Sequence, residues 1–346
     1  MVASRRKIRP TPGSATIPMS TQPHYRPAWW LPGGHARTIW RRLTRTGQAV
    51  AGQQEFWDTP DGDEIEVVRA PAADPHAPRL LVLHGLEGTP SSHYVHALFA
   101  AAQSKGWSAD LLLFRTCGSR PNRLPRSYHS GETTDLSFVI ERLAAESDAP
   151  LVAAGVSLGG NVLLKYLGER SAAVPHVLKG AAAISVPFDL ARASRWIGRG
   201  FGKVYERAFM ASLIAKAEAK LAQFPGLVPL EPLRAAQTLW DFDDRFTAPV
   251  HGFTDAADYY AQSSSIHFLP RITTPTLLVS AVDDPFLPAD VLDDVRRAAH
   301  GVPSITVDFV PNGGHVGFTT GTLPWRAHAW AEQRAVHWLA SHATSP

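Results

Sequence analysis

Cysteine occurs once in the 346 residues, at Cys117. A single thiol excludes an intramolecular disulfide and a cysteine-rich zinc site, and it fits a reducing compartment. Long apolar runs are missing as well; none nears the roughly 20 residues of a membrane-spanning helix. Ser4-Arg5-Arg6 has the look of a twin-arginine start, but the stretch after it, PTPGSATIPMSTQP at 10–23, lacks the apolar core that export requires. These absences together point to a cytoplasmic protein. No strong excess of charge exists either, since 34 basic and 31 acidic side chains leave a formal net charge of +3. Four of the basic residues, Arg5, Arg6, Lys7 and Arg9, crowd the first ten positions without interleaved aromatics. Residues 1–25 therefore read as a flexible basic arm, not as a nucleic-acid patch. His93-x-x-His96 has no third ligand nearby, so neither a metal nor a cofactor is expected.

What is present is an alternation. Gln53–Thr59 and Glu64–Arg69 read as a hairpin around Pro60-Asp61-Gly62-Asp63. Arg79–His84, Ala109–Phe114, Leu151–Val156, Ala181–Val186, Thr276–Ala281 and Thr306–Val310 are continuous apolar runs of strand length, as expected for strands covered on both faces. Between them lie stretches with helical spacing, such as Glu132–Ala145 with Leu136, Val139, Ile140 and Leu143 on one side. The pattern specifies a mostly parallel α/β sheet. It is interrupted at 189–268 by strand-free helical sequence, with candidate helices Lys203–Ala222 and Leu233–Phe242, and this reads as an insertion. A final helix spans about Trp325–Ser341. Residues 26–40 hold Trp29, Trp30 and Trp40 and should pack on the body or the mouth of a site, where His35 and Arg37 are available.

In an open parallel sheet, sites form where strands end at their carboxyl termini. Gly155-Val156-Ser157-Leu158-Gly159 stands between a strand and a helix, the context in which G-x-S-x-G presents a serine on a sharp turn. Val282-Asp283-Asp284-Pro285-Phe286 and Gly313-Gly314-His315 follow two later strands. The order Ser, Asp, His, with separations of 127 and 31 residues, is that of a nucleophile, acid and base on an α/β sheet. A serine hydroxyl is a weak nucleophile, so His315 would take its proton and Asp284 would orient the imidazole. Asp283 competes for the acid's role; Asp284 is preferred from the D-P-F-L-P run that follows it. A developing oxyanion needs two backbone donors, and the N–H groups of Leu158 and Leu86 are the candidates. His84 is expected to shape the loop that bears Leu86. Glu87 reads as a solvated loop acid, and Cys117 lacks a base of its own.

These motifs as a set resemble the α/β-hydrolase superfamily, and within it the YheT-like branch with its plant EMB8-like and mammalian ABHD1/3-type members. The resemblance rests on Trp30-Leu-Pro-Gly-Gly-His35 through Thr38-Ile-Trp40, His84-Gly-Leu-Glu-Gly88, Tyr128-His-Ser-Gly-Glu-Thr133, Gly155–Lys165, Asp283–Phe286 and Gly313–Phe318, and it covers about residues 25–340. One departure is Arg115-Thr-Cys-Gly-Ser119, where the family pattern is R-G-C-S-G. The resemblance implies an α/β-hydrolase fold of eight strands, mostly parallel and flanked by helices. It implies a core at 26–188 and 269–346 with a helical cap at 189–268. It also implies cleavage of carboxylic esters, with acyl transfer to an alcohol or an inactive binding module as the alternatives. The expected partner is a small ester or a lipid-like molecule, not nucleic acid, and peripheral contact with a membrane is compatible with it. Trp29, Trp30 and Trp40 are expected to bound an apolar acyl pocket together with cap side chains.

Overall fold

A computed structural model describes residues 24–44 and 48–343; the predicted basic arm lies almost wholly outside them. Eight strands form one sheet: β1 (Gln53–Asp58), β2 (Glu64–Ala70), β3 (Arg79–Leu83), β4 (Ser108–Leu113), β5 (Leu151–Val156), β6 (Leu178–Ile184), β7 (Thr276–Ala281) and β8 (Ile305–Val310). Their spatial order is β1-β2-β4-β3-β5-β6-β7-β8. Strand β2 runs antiparallel to β1 and β4, and every other neighbouring pair is parallel. Every residue of β4, β5 and β7 is buried. That burial is the physical counterpart of their unbroken apolar sequence.

Alternate residues of each strand feed two cores. Leu81 and Leu83 of β3 pack with α3 (Thr134–Glu146), α4 (Leu158–Arg170) and α11 (Asp290–Ala299). Leu80 and Val82 face the opposite way, onto α2 (His93–Gln103) and the closing helix α12 (Trp330–Ala343). Ahead of the sheet runs α1 (Gly33–Leu43). Between β6 and β7 the chain leaves the sheet as six helices: α5 (Leu190–Ile197), α6 (Gly202–Gln223), α7 (Leu230–Arg234), α8 (Leu239–Phe242), α9 (Ala248–His251) and α10 (Ala256–Ser263). They hold an apolar cluster of their own around Leu213, Phe242 and Phe246.

Differences from the sequence expectations have local causes. The single helix expected over Leu233–Phe242 is two, because Thr238 and Asp241 form a reciprocal capping box that starts a new helix at Leu239. The closing helix begins at Trp330, not Trp325; Pro324–Arg326 is a 3-10 turn, and His328–Ala329 pairs with Thr319–Thr320 instead.

Strand β5 delivers the chain into α4 through Ser157, whose φ of 53° and ψ of −119° lie where an L-residue is strained. The turn is held shut by packing. A Cβ on Gly159 would stand 2.5 Å from the carbonyl oxygens of both Leu83 and His84. Beside it, β3 ends on a fully buried imidazole. His84 donates from Nδ1 to the Gly85 carbonyl (2.7 Å) and accepts the Phe114 N–H at Nε2 (3.1 Å), tying the ends of β3 and β4 together. Burial lowers its pKa to about 4. Past β4, Arg115 is buried among Asp61, Asp63 and Asp135 at 2.6–2.9 Å, and Thr116 then adopts φ of 67°. This is the position where the related pattern carries glycine.

Two substitutions should move stability in opposite directions. Gly159→Ala forces backbone apart and should lower the free energy of urea unfolding by about 3 kcal/mol. Thr116→Gly relieves a β-branched residue at positive φ and should raise it by about 1 kcal/mol. His84 predicts a pH dependence. The unfolded imidazole binds a proton near its ordinary pKa of 6.5 and the folded one only near 4. Its contribution is therefore complete above pH 6.5 and declines as pH falls to 4, by about 3 kcal/mol. Urea melts across that window should show a shallower slope for His84→Asn than for the parent, even though the variant is less stable throughout.

Candidate active site

The carboxyl ends of β5, β7 and β8 bring three of the predicted residues together. His315 Nε2 lies 3.0 Å from Ser157 Oγ, and His315 Nδ1 lies 2.9 Å from Asp284 Oδ2. Asp284 and His315 are buried, whereas Ser157 is partly open. With Nδ1–H donating to the carboxylate, Nε2 is left as the acceptor for the serine O–H. The Phe286 ring stacks on the imidazole at 4.1 Å, and the Phe286 N–H donates to Asp284 Oδ1 at 2.8 Å. Of the two adjacent acids, only Asp284 touches the histidine.

Asp283 does something else. Its Oδ1 accepts the N–H groups of Gly313 (2.6 Å) and Gly314 (2.8 Å), and its Oδ2 accepts Arg37 Nη1 at 3.0 Å. Arg37 and the neighbouring Thr38 belong to α1 and are buried. Thr38 Oγ1 accepts the N–H of His315 at 2.9 Å, and Ser185 Oγ accepts that of Val316 at 3.0 Å. The approach is close enough to require glycine at 314, which has φ of 65°; a Cβ there would meet the Gly34 carbonyl at 2.4 Å. The sequence presents Arg37 only as a residue available at the mouth of a site and does not single out Thr38, because their partners lie more than 240 positions away. Asn161 was missed too. Fully buried in the first turn of α4, it donates to the carbonyls of Ser130 (2.9 Å) and Ser263 (2.7 Å) and accepts the Ser265 N–H (2.9 Å). It thereby joins the elbow to the loop before α3 and to the end of the helical insertion.

Leu86 and Leu158, the two expected backbone donors, both border the same cavity as Ser157. The loop bearing Leu86 lies against the elbow, since a Cβ on Gly85 would be 3.1 Å from that of Ser157. Glu87 is not the solvated acid expected from the sequence. It has φ of 56°, accepts Tyr128 Oη and Lys216 Nζ at 2.8 Å each, and is also bonded by Ser212 Oγ. Burial pushes its carboxyl up, but the Lys216 ammonium and the hydroxyls of Ser212 and Tyr128 outweigh that and hold it below the ordinary range. Lys216 Nζ also reaches Cys117 Sγ at 3.3 Å. Burial raises the Cys117 thiol to about 11, which favours the protonated form. His93 packs on Tyr94, and His96 bonds the Gln48 carbonyl at 2.6 Å. No group of three or more metal-ligating side chains occurs among the described residues.

Above Ser157 opens a cavity of about 830 Å³. Its apolar wall comes from the insertion, through Phe209, Leu213, Phe242 and Phe246, and from Ile39 and Leu43 of α1. The tryptophans expected to bound it do not line it. Trp29 and Trp30 instead donate their indole N–H groups to the carbonyls of Thr322 and Gly321 at 3.1 Å, and Trp30 packs edge-on against Trp40. Their work is to fasten the segment before α1 to the chain before α12. Among the described residues, no helix is long and apolar enough to cross a membrane.

Comparison with known proteins gives this geometry a family. The family model for the alpha/beta hydrolase fold matches residues 78–322. The Escherichia coli protein named "Putative esterase YheT" is 39% identical over 313 residues, covering 89% of this chain and 90% of its own. The mouse protein named phospholipase ABHD3 is 27% identical over 316 residues, covering 89% of this chain and 76% of its own. Embryogenesis-associated protein EMB8 of Picea glauca is 27% identical over 333 residues, covering 91% and 72%. Among solved structures, the Pyrococcus furiosus esterase Pf2001 superposes with a TM-score of 0.55 at 14% identity, covering 85% of this chain and 93% of its own, a likeness of fold. An eight-stranded sheet in this order, the strand–turn–helix at Ser157 and a family match over most of its length make this chain a member of the alpha/beta hydrolase fold family.

Proposed function

We propose that the protein is a carboxylic ester hydrolase that works through an acyl-enzyme, with Ser157 as nucleophile, His315 as general base and acid, and Asp284 as the acid that orients it. The observation that carries this reading is the unbroken hydrogen-bonded chain from Asp284 through His315 to Ser157 at the floor of an apolar cavity. Ser157 Oγ attacks the ester carbonyl carbon while His315 Nε2 takes its proton. The carbonyl π electrons move onto oxygen, and the N–H groups of Leu86 and Leu158 stabilise that oxyanion, each contributing on the order of 3 kcal/mol. Collapse expels the alcohol, which leaves with the proton from Nε2. A water then gives its proton to Nε2 and attacks the acyl-enzyme, releasing the carboxylic acid and restoring Ser157. Asp284 keeps the Nδ1–H tautomer in place and stabilises the imidazolium of each step.

The helical insertion at 189–268 acts as a cap whose apolar side chains receive the acyl group. Its phenylalanines and leucines favour hydrocarbon over a polar acyl chain. The esterase and phospholipase names of the relatives support an ester substrate of this kind.

Ser157 should be labelled by a fluorophosphonate, and Ser157→Ala should abolish both labelling and ester hydrolysis; intact hydrolysis in that variant would remove the mechanism. Asp284→Asn should lower kcat by about 10⁴, whereas Asp283→Asn should retain far more activity and chiefly lose stability. A reversal of that order would move the acid to Asp283. Across esters of graded acyl length, kcat/KM should rise by roughly three- to fourfold per methylene until the cavity is filled. Running the same panel with a competing alcohol separates hydrolysis from acyl transfer by the product formed.

A further inference from the structure

The outer face of the insertion differs in character from its inner face. Residues 195–207 read RWIGRGFGKVYER and join the end of α5 to the start of α6. Ile197 and Tyr205 point inward and line the cavity, as does Ala208 just beyond. Trp196, Phe201 and Val204 are exposed at 38%, 50% and 52%, Phe201 with the rest of its ring against His35 and Tyr205. Large apolar side chains exposed this close together are unusual on a surface that meets only water. Four basic residues, Arg195, Arg199, Lys203 and Arg207, are exposed among them. Arg195 lies over the Trp240 ring and Arg199 over that of Trp196.

The single acidic residue between 190 and 217 is Glu206, and it is buried, accepting the Leu239 N–H at 3.1 Å. Arg192, one turn earlier, differs from the other basic residues because Asp290 and Asp294 neutralise it at 2.5 Å. The patch is thus net positive and carries aromatic rings at the same level as its guanidinium and ammonium groups. That combination suits the interface of an anionic bilayer, where rings sit among the headgroups and basic side chains meet lipid phosphates.

We propose that this segment of the insertion docks the protein on an anionic lipid surface. Docking there sets the two elements that line the cavity directly against the layer that holds the acyl chains. The proposal concerns binding and stands apart from the hydrolytic reading, because adsorption is measured without turnover.

The test uses the full chain with vesicles of phosphatidylcholine alone and vesicles that also contain phosphatidylglycerol, read by co-sedimentation. The protein should partition onto the anionic vesicles at least tenfold more strongly, and added salt should reverse this. Arg199→Glu with Lys203→Glu should lower that partitioning at least tenfold. Trp196→Ser with Val204→Ser should lower it as well, and the circular dichroism melt of each variant reports whether it has folded. None of these four residues lines the cavity, so hydrolysis of a dissolved short-chain ester should stay near the parent rate. Removing the charges of the N-terminal arm (Arg5, Arg6, Lys7 and Arg9, each to Gln) should leave most of the binding in place. Three results would overturn the proposal: equal or absent binding to the two vesicle types, binding lost only when the arm is neutralised, or a parent protein that ignores vesicles and dimerises through this face.

Discussion

The loop that carries His315 is built on no helix or strand, and one carboxylate decides where it goes. Asp283 Oδ1 gathers the N–H groups of Gly313 and Gly314, while Oδ2 holds Arg37 from the far end of the chain. Hydrogen bonds to a charged acceptor are roughly twice as strong as neutral ones, and three of them on one half-buried carboxylate fix the loop far better than packing alone. Asp283 therefore leaves Asp284, its neighbour, free for the imidazole. The two acids divide the labour: one sets the backbone before His315, the other its ring. Segments separated by hundreds of residues must be assembled before the short chain from Asp284 to Ser157 can form. That chain is a result of tertiary folding, not of any local motif.

Strain at Ser157 belongs to the same logic. A residue at positive φ persists only where its surroundings leave no alternative. Here Gly159 lies against the carbonyls of Leu83 and His84, and the His84 ring ties the end of β3 to that of β4 through the Gly85 carbonyl and the Phe114 N–H. Because His84 is buried and stays neutral, its two hydrogen bonds keep one fixed tautomer through the physiological range. Strand order places β3 directly beside β5. The loop with Leu86 and the turn with Ser157 are thus neighbours for topological reasons, before any side chain chooses a position.

Much of this was legible in the sequence. Continuous apolar strands gave the parallel sheet, and G-x-S-x-G between a strand and a helix gave the elbow. The ordering of Ser157, Asp284 and His315 anticipated the hydrogen bonds that join them at 3.0 and 2.9 Å. What escaped was whatever depends on two distant segments meeting. Tryptophans at 29, 30 and 40 are apolar enough for a pocket wall, yet Trp29 and Trp30 spend their N–H groups on carbonyls near 321 and are drawn away from the cavity. Glu87 looked like a loop acid because Lys216, its ionic partner, is 129 positions on. Thr116 is the converse case: the departure from the family pattern was visible, but only the backbone angle shows why glycine would suit the site.

Glu87 also shows how the insertion and the sheet act as one body. It follows Leu86, and its side chain is held by Ser212 and Lys216 of α6. Breaking that tether would leave a carboxylate in a site built for an ion pair, which is costlier than never having placed it there. Asn161 makes the matching connection on the other side, between the first turn of α4 and the residues that end the insertion. The helices above the cavity are therefore fastened to both halves of the elbow, the loop that precedes it in space and the helix that follows it in sequence. An insertion attached in this way cannot shift as a rigid body without moving the backbone beside Ser157. The geometry of the cavity wall and that of the turn at Ser157 are mechanically one variable.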